Sequence, residues 1–181
     1  MKIGILTFHS QLNYGGVLQC WALKTALEGM GHEVIVIDRW QDACQASLRG
    51  EWSARGFKAR VKNLLRMLGG CGVANAYVRA WRTMRFVKAL GLSSYHFVDW
   101  KDAPRELGVD LVVVGSDQVW HCGDFNDPSV YLLDGAPDVR AISYAASFGL
   151  RTIPDAFIAS YQRGLARFAA ISCREKEGVD L

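Results

Sequence analysis

The apolar residues of this chain fall into two rhythms. Short runs rich in Val, Ile and Leu, bounded by turn-forming residues, predict buried strands of a parallel sheet. They occur at residues 2–8, 32–38 (HEVIVID), 110–114 (DLVVV) and 140–146 (RAISYAA), with a short last strand at 169–172. Residues 16–30 instead follow a helical period: Val17, Leu18, Trp21, Leu23, Ala26 and Leu27 fall mostly on one face, and Gly31 supplies a C-terminal stop. Strand, helix, strand is a βαβ unit, whose crossover is right-handed. Residues 129–134 read as a short strand or an irregular segment. Pro154 starts a helix over 155–168, and Arg174-Glu175 opens another. The expected class is α/β: an open parallel sheet flanked by helices.

Residues 39–108 interrupt this rhythm. Helices are expected near 55–68 (Phe57, Val61, Leu64, Leu65, Leu68) and near 75–90 (Tyr77, Trp81, Met84), separated by Gly69-Gly70 and Gly72. This insertion also changes the charge picture. The net charge is +3, yet residues 49–88 hold ten basic residues against the single acid Glu51. That segment carries +9 and the rest of the chain −6. A basic amphipathic helix suits nucleic acid or an anionic membrane surface. The chain has no nucleic-acid motif, and its aromatics at 57, 77 and 81 lie on the apolar faces, so no nucleic-acid partner is expected. A solvated basic face is the plainer reading, with peripheral membrane contact left open.

At 181 residues one domain is the default, and half the residues are apolar. Cys20, Cys44, Cys71, Cys122 and Cys173 are scattered and never spaced C-x-x-C, which argues against a disulfide framework or a metal site and for a reduced, cytoplasmic setting. The chain opens without a signal-peptide core and has no run of transmembrane length.

The chemistry gathers at strand ends, where open α/β sheets bind ligands. Gly115-Ser116-Asp117-Gln118-Val119-Trp120 follows the third strand and offers a hydroxyl, a carboxylate, an amide and an indole. The plainer alternative is a Ser-Asp helix cap with Trp120 in the core. The first loop, His9 to Gly16, feeds a helix N-terminus that suits a phosphate, a carboxylate or sugar hydroxyls. It lacks both G-x-G-x-x-G and G-K-[ST], so it is neither a dinucleotide fingerprint nor a P-loop. Alternatively Asn13 caps the helix and Tyr14 merely packs. His9 and His121 are acid–base candidates, His121 the stronger because it follows the hexapeptide. Small residues around Ser147 leave room for a ligand or allow tight packing. Arg174-Glu175 reads as an anion contact with its orienting carboxylate, or as a surface ion pair.

Four segments in this order, Asn13-Tyr14-Gly15-Gly16-Val17-Leu18-Gln19, Gly115–Trp120, Ile142–Gly149 and Ile171–Glu175, together resemble the polysaccharide pyruvyl transferase family. The resemblance implies transfer of a pyruvyl group from phosphoenolpyruvate, the donor substrate, to sugar hydroxyls as a cyclic ketal, with no further cofactor or metal. It implies a bacterial enzyme of exopolysaccharide synthesis acting on a glycan or lipid-linked sugar. It also implies two Rossmann-like domains facing a cleft, as in GT-B glycosyltransferases. Residues 1–181 would be the N-terminal, acceptor-side half, with most donor-holding basic residues in a C-terminal domain outside this sequence.

For that reaction Asp117 is the candidate base, and His121, chosen for its place after the hexapeptide, is its catalytic companion. Asn13, Ser116 and Gln118 hold hydroxyls, Trp120 stacks on a sugar face, and Arg174 meets the departing phosphate. Tyr14, Gly15, Gly16 and Ser147 complete the substrate-binding set. Two positions depart from the pattern: His121 stands where Asn is common, and no acid follows the first-loop glycines. The alternatives are a non-catalytic glycan- or nucleotide-binding module, a truncated relic, or a basic nucleic-acid binder.

Overall fold

The computed structural model describes residues 1–9, 14–37, 82, 85–86, 102–122, 128–136, 138–150 and 152–179. The two expected basic helices lie outside these residues, apart from Arg82, Arg85 and Phe86, which are helical. The described elements are β1 (Lys2–Leu6), α1 (Tyr14–Gly29), β2 (Glu33–Val36), α2 (Ala103–Glu106), β3 (Leu111–Gly115), α3 (Pro128–Tyr131), β4 (Ala141–Tyr144) and α4 (Asp155–Leu165), then a 3-10 turn at Lys176–Val179.

The four strands form one parallel sheet in the order β2-β1-β3-β4. Register follows the period of two along each strand. Ile3 and Ile5 of β1, Val34 and Val36 of β2 and Val113 of β3 share one apolar cluster with Cys20 and Leu23 of α1. Leu6, Val112 and Val114 join the cluster of the opposite face, with Trp120, Tyr131, Phe148, Tyr161 and Phe168. The fold is therefore α/β with both faces of the sheet packed.

Helix α1 ends where turn chemistry dictates. Gly31 takes φ +86. The Gly31 amide donates to the Glu28 carbonyl (2.9 Å) and the His32 amide to the Leu27 carbonyl (3.3 Å). This pair of bonds is a Schellman stop. The apolar face is narrower than the sequence suggests: Gly16, Val17, Cys20 and Leu23 are buried, whereas Leu18 and Trp21 remain exposed on the far side. Cys20 lies beneath the sheet, and burial pushes its thiol up to about 12.

Three expectations are corrected. Residues 129–134 hold no strand. Pro128 starts the short helix α3 and Leu133 turns the chain at φ +57. Val130, Tyr131, Leu132 and Leu133 are all buried, and such a continuous apolar run does not by itself distinguish helix from strand. Residues 169–172 form no strand: the segment makes one isolated parallel bridge, Ile142 to Ala170, and a second follows it, Ala146 to Cys173. Between those bridges serine hydroxyls join the pairing. The Ser143 hydroxyl donates to the Ser172 carbonyl (3.1 Å) and accepts from the Ser172 amide (3.0 Å). Nor does Arg174-Glu175 open an α-helix: only the 3-10 turn follows.

Gly115 ends β3 with φ +115, and a Cβ there would stand 2.8 Å from the Tyr144 carbonyl oxygen and 3.0 Å from the Ala146 Cβ. Both the backbone angle and the close neighbours exclude a side chain. Gly115→Ala is expected to cost about 2–3 kcal/mol through strain and overpacking, read as a lowered urea midpoint. A wild-type midpoint would show that this crossing is looser than the geometry indicates.

Candidate active site

The site begins where β3 stops. Two consecutive residues, Gly115 (φ +115) and Ser116 (φ +73), leave the ordinary backbone regions. Glycine tolerates this; for serine it stores about 1–3 kcal/mol of strain, a cost that clusters at functional sites. The consequence is a sharp reversal that carries Asp117 back against the first turn of α1. A Cβ on Gly16 would stand only 2.8 Å from Asp117 Oδ2 and 3.3 Å from the Phe8 carbonyl. Glycine at position 16 thus makes room for the carboxylate. Asp117 Oδ1 accepts a hydrogen bond from the Gln118 amide at 2.8 Å. A negative group beside a helix N-terminus complements the positive end of the helix dipole.

A carboxylate of the chain therefore lies against the first turn of α1. Tyr14 and Gly15 are exposed at that end, and Asn13 lies outside the described residues.

A second loop interlocks with the first. The Ser147 amide donates to the Asp117 carbonyl (3.0 Å), and the Trp120 amide donates to the Ser147 carbonyl (3.1 Å). His121 Nδ1 lies 3.0 Å from the Phe148 carbonyl oxygen. A carbonyl only accepts, so Nδ1 carries the hydrogen and Nε2 is the basic nitrogen of the neutral ring. Gly149, at φ +62, lies under the Gln118 amide: a Cβ there would be 2.9 Å from Gln118 Cδ. Asp117, Gln118 and His121 are thereby held by one short turn, Ser147–Gly149.

Glu175 anchors that turn. Its Oε1 accepts from the Ser147 hydroxyl and, at 3.2 Å, from the Gly149 amide. Its Oε2 accepts from the Phe148 amide (3.3 Å) and the Cys173 thiol (3.4 Å). Burial works to raise the Glu175 carboxyl, but bonds from Ser147, Gly149 and Cys173 outweigh it and hold the group below its ordinary value. The depressed value means that its stabilising contribution is complete above the ordinary carboxyl pKa and fades as pH falls through the lowered one. Burial also pushes up the neighbouring Cys173 thiol.

Two predicted ligand contacts, Trp120 and Ser147, take other roles. Trp120 is fully buried, packed against Phe148 and Phe168 at centroid distances of 5.2 and 6.0 Å, and its indole N–H donates to the Tyr131 carbonyl at 3.2 Å. It is a core residue and offers no face to a sugar. Ser147 is buried, with its hydroxyl given to Glu175. Arg174 Nη2 donates to the Ser116 carbonyl at 2.8 Å and to Gln19 Oε1 at 3.4 Å, tying the strained reversal to α1. Ser116 is itself buried. His9 is buried too, with Nδ1 3.1 Å from the Thr7 carbonyl. Asp117 is partly exposed and Gln118 exposed. Glu175 is the residue that sequence reading undervalued; its signal was an acid next to a strand end, with a Ser-Phe-Gly turn to cap.

Together these features gather a carboxylate, an amide and an imidazole around one strained turn at the carboxyl ends of the strands of a parallel α/β sheet. The family model for polysaccharide pyruvyl transferase matches residues 13–181, and the chain belongs to that family. Neither the curated proteins nor the solved structures contain a match to it. Among the described residues no helix is long and apolar enough to cross a membrane.

Proposed function

We propose that this chain carries the acceptor side of a pyruvyl transfer from phosphoenolpyruvate to two hydroxyls of a glycan or lipid-linked sugar. Family membership supports the reaction class, and the observation that carries the site assignment is Asp117. Its carboxylate is partly exposed at a strand end and fixed against α1 on one oxygen and the Gln118 amide on the other.

The chemistry asks for that group. A sugar hydroxyl loses its proton as its oxygen bonds C2 of the enol phosphate, while the methylene carbon gains a proton and becomes methyl. A second hydroxyl then bonds the same carbon, inorganic phosphate leaves, and a cyclic ketal results. A carboxylate within hydrogen-bond reach of the first hydroxyl serves as its base. Gln118 holds a neighbouring hydroxyl, and the His121 imidazole is the second acid–base group. The leaving phosphate needs cations. Arg174 retains guanidinium donors beyond the Nη2 bonds to Ser116 and Gln19, and a partner domain in a GT-B arrangement would supply the rest.

The test is direct. The full-length protein, given phosphoenolpyruvate and a panel of bacterial glycans, should release phosphate only with acceptor present, in proportion to a new ketal carbon seen by NMR. Phosphate release without ketal, or a pyruvyl enol ether as final product, would refute the reading.

A further inference from the structure

The turn Ser147–Gly149 touches more of the site than any ligand-facing residue. It pairs with the backbone of Asp117 and Trp120, fixes His121 through the Phe148 carbonyl, and lies beneath the side chain of Gln118. Four donors converge from this turn and its surroundings on one carboxylate, Glu175: the Ser147 hydroxyl, the Phe148 and Gly149 amides, and the Cys173 thiol. A carboxylate is acceptor-only and has room for all four, whereas a carboxamide brings donors of its own. The backbone of Arg174, beside it, is bonded to the Ala146 carbonyl at 2.8 Å, so the carboxylate is presented from an anchored position.

We propose that Glu175 is a positioning residue: by holding Ser147–Gly149 it fixes the Phe148 carbonyl, and the carbonyl fixes His121 as the Nδ1–H tautomer with Nε2 basic. The inference rests on the reading of His121 as an acid–base group. Glu175 touches no reacting atom. It acts through a peptide carbonyl, much as outer-sphere partners orient and tautomerise metal-bound histidines.

The decisive measurement is the nitrogen NMR of the His121 ring, assigned with a His121→Gln control, in wild-type protein and in Glu175→Gln. Wild type should show the Nδ1–H form. The variant should shift toward the Nε2–H form that a free histidine side chain prefers, with its circular dichroism unchanged. In the transfer assay kcat should fall about 10- to 100-fold with KM little altered, since sugar contacts are untouched and only the geometry of a proton acceptor is lost.

An unchanged tautomer in folded Glu175→Gln overturns the proposal, as does a shifted tautomer with wild-type kcat. Should Glu175→Gln not fold, Glu175→Asp keeps the charge and withdraws the carboxylate by one methylene. The same redistribution is expected there, and its absence again overturns the proposal. Lack of any transfer by the wild-type protein refutes the transferase reading instead, and the tautomer measurement still decides what Glu175 does.

Discussion

Asp117→Asn in the full-length protein is expected to lower kcat about 10²- to 10⁴-fold, the range that a positioned general base contributes. The substitution keeps shape and removes the base. Asparagine Oδ1 still accepts from the Gln118 amide, so the turn retains that 2.8 Å bond. What changes is the atom over Gly16, where an acceptor oxygen becomes an NH₂ facing the first turn of α1. Losing a favourable charge at a helix N-terminus costs about 0.3–1 kcal/mol, which leaves the protein folded. The expected result is a stable, inactive variant with near-normal KM. It is checked by single-turnover phosphate release beside a thermal melt. Full activity in Asp117→Asn would remove Asp117 from the mechanism, and a collapsed melting curve would show its role to be structural.

Trp120→Ala is expected to cost about 3–5 kcal/mol of stability, in line with truncation of large buried aromatics. Three observations set the magnitude. The side chain is 0% exposed, it packs against Phe148 and Phe168, and its N–H satisfies the Tyr131 carbonyl. The truncation therefore opens a cavity and orphans a buried acceptor. The residue's own carbonyl is bonded by Tyr161, whose buried phenol is pushed far above its usual titration range. For a chain of this size the expected fall in melting temperature is roughly 10 °C, measured by calorimetry. A sugar-stacking residue would behave oppositely: Trp120→Ala would leave the melting temperature alone and raise KM.

Much of this architecture was legible because parallel strands announce themselves. Runs such as Leu111–Val114 are apolar on both faces, and the structure pairs them as adjacent parallel strands. The segment at 169–172 was harder. Its pairing runs partly through Ser143 and Ser172 hydroxyls, and no apolar period reports a side-chain bond. In the site, Asp117, Gln118, His121 and Ser147 were all marked by their place at strand ends, and the structure gathers them around one turn. Trp120 was misjudged because an indole is equally at home in a core or on a sugar, and only packing decides. Glu175 was undervalued because three of its four partners lie 26 to 28 residues earlier in the chain and two of them are backbone amides, which every sequence contains.

The carboxylate lodged against α1 has one more consequence. Parallel α/β folds commonly receive the phosphates of nucleotides at this helix end. Here the chain fills the place from within, and an incoming phosphate meets like charge. At about 4 Å such a pair repels by roughly 1–4 kcal/mol, between bulk water and a protein surface. A neutral sugar is indifferent to that field. On the proposed reading, Asp117 disfavours an anion at this helix end and leaves an uncharged polyol unaffected, so the anionic donor would be seated from another direction.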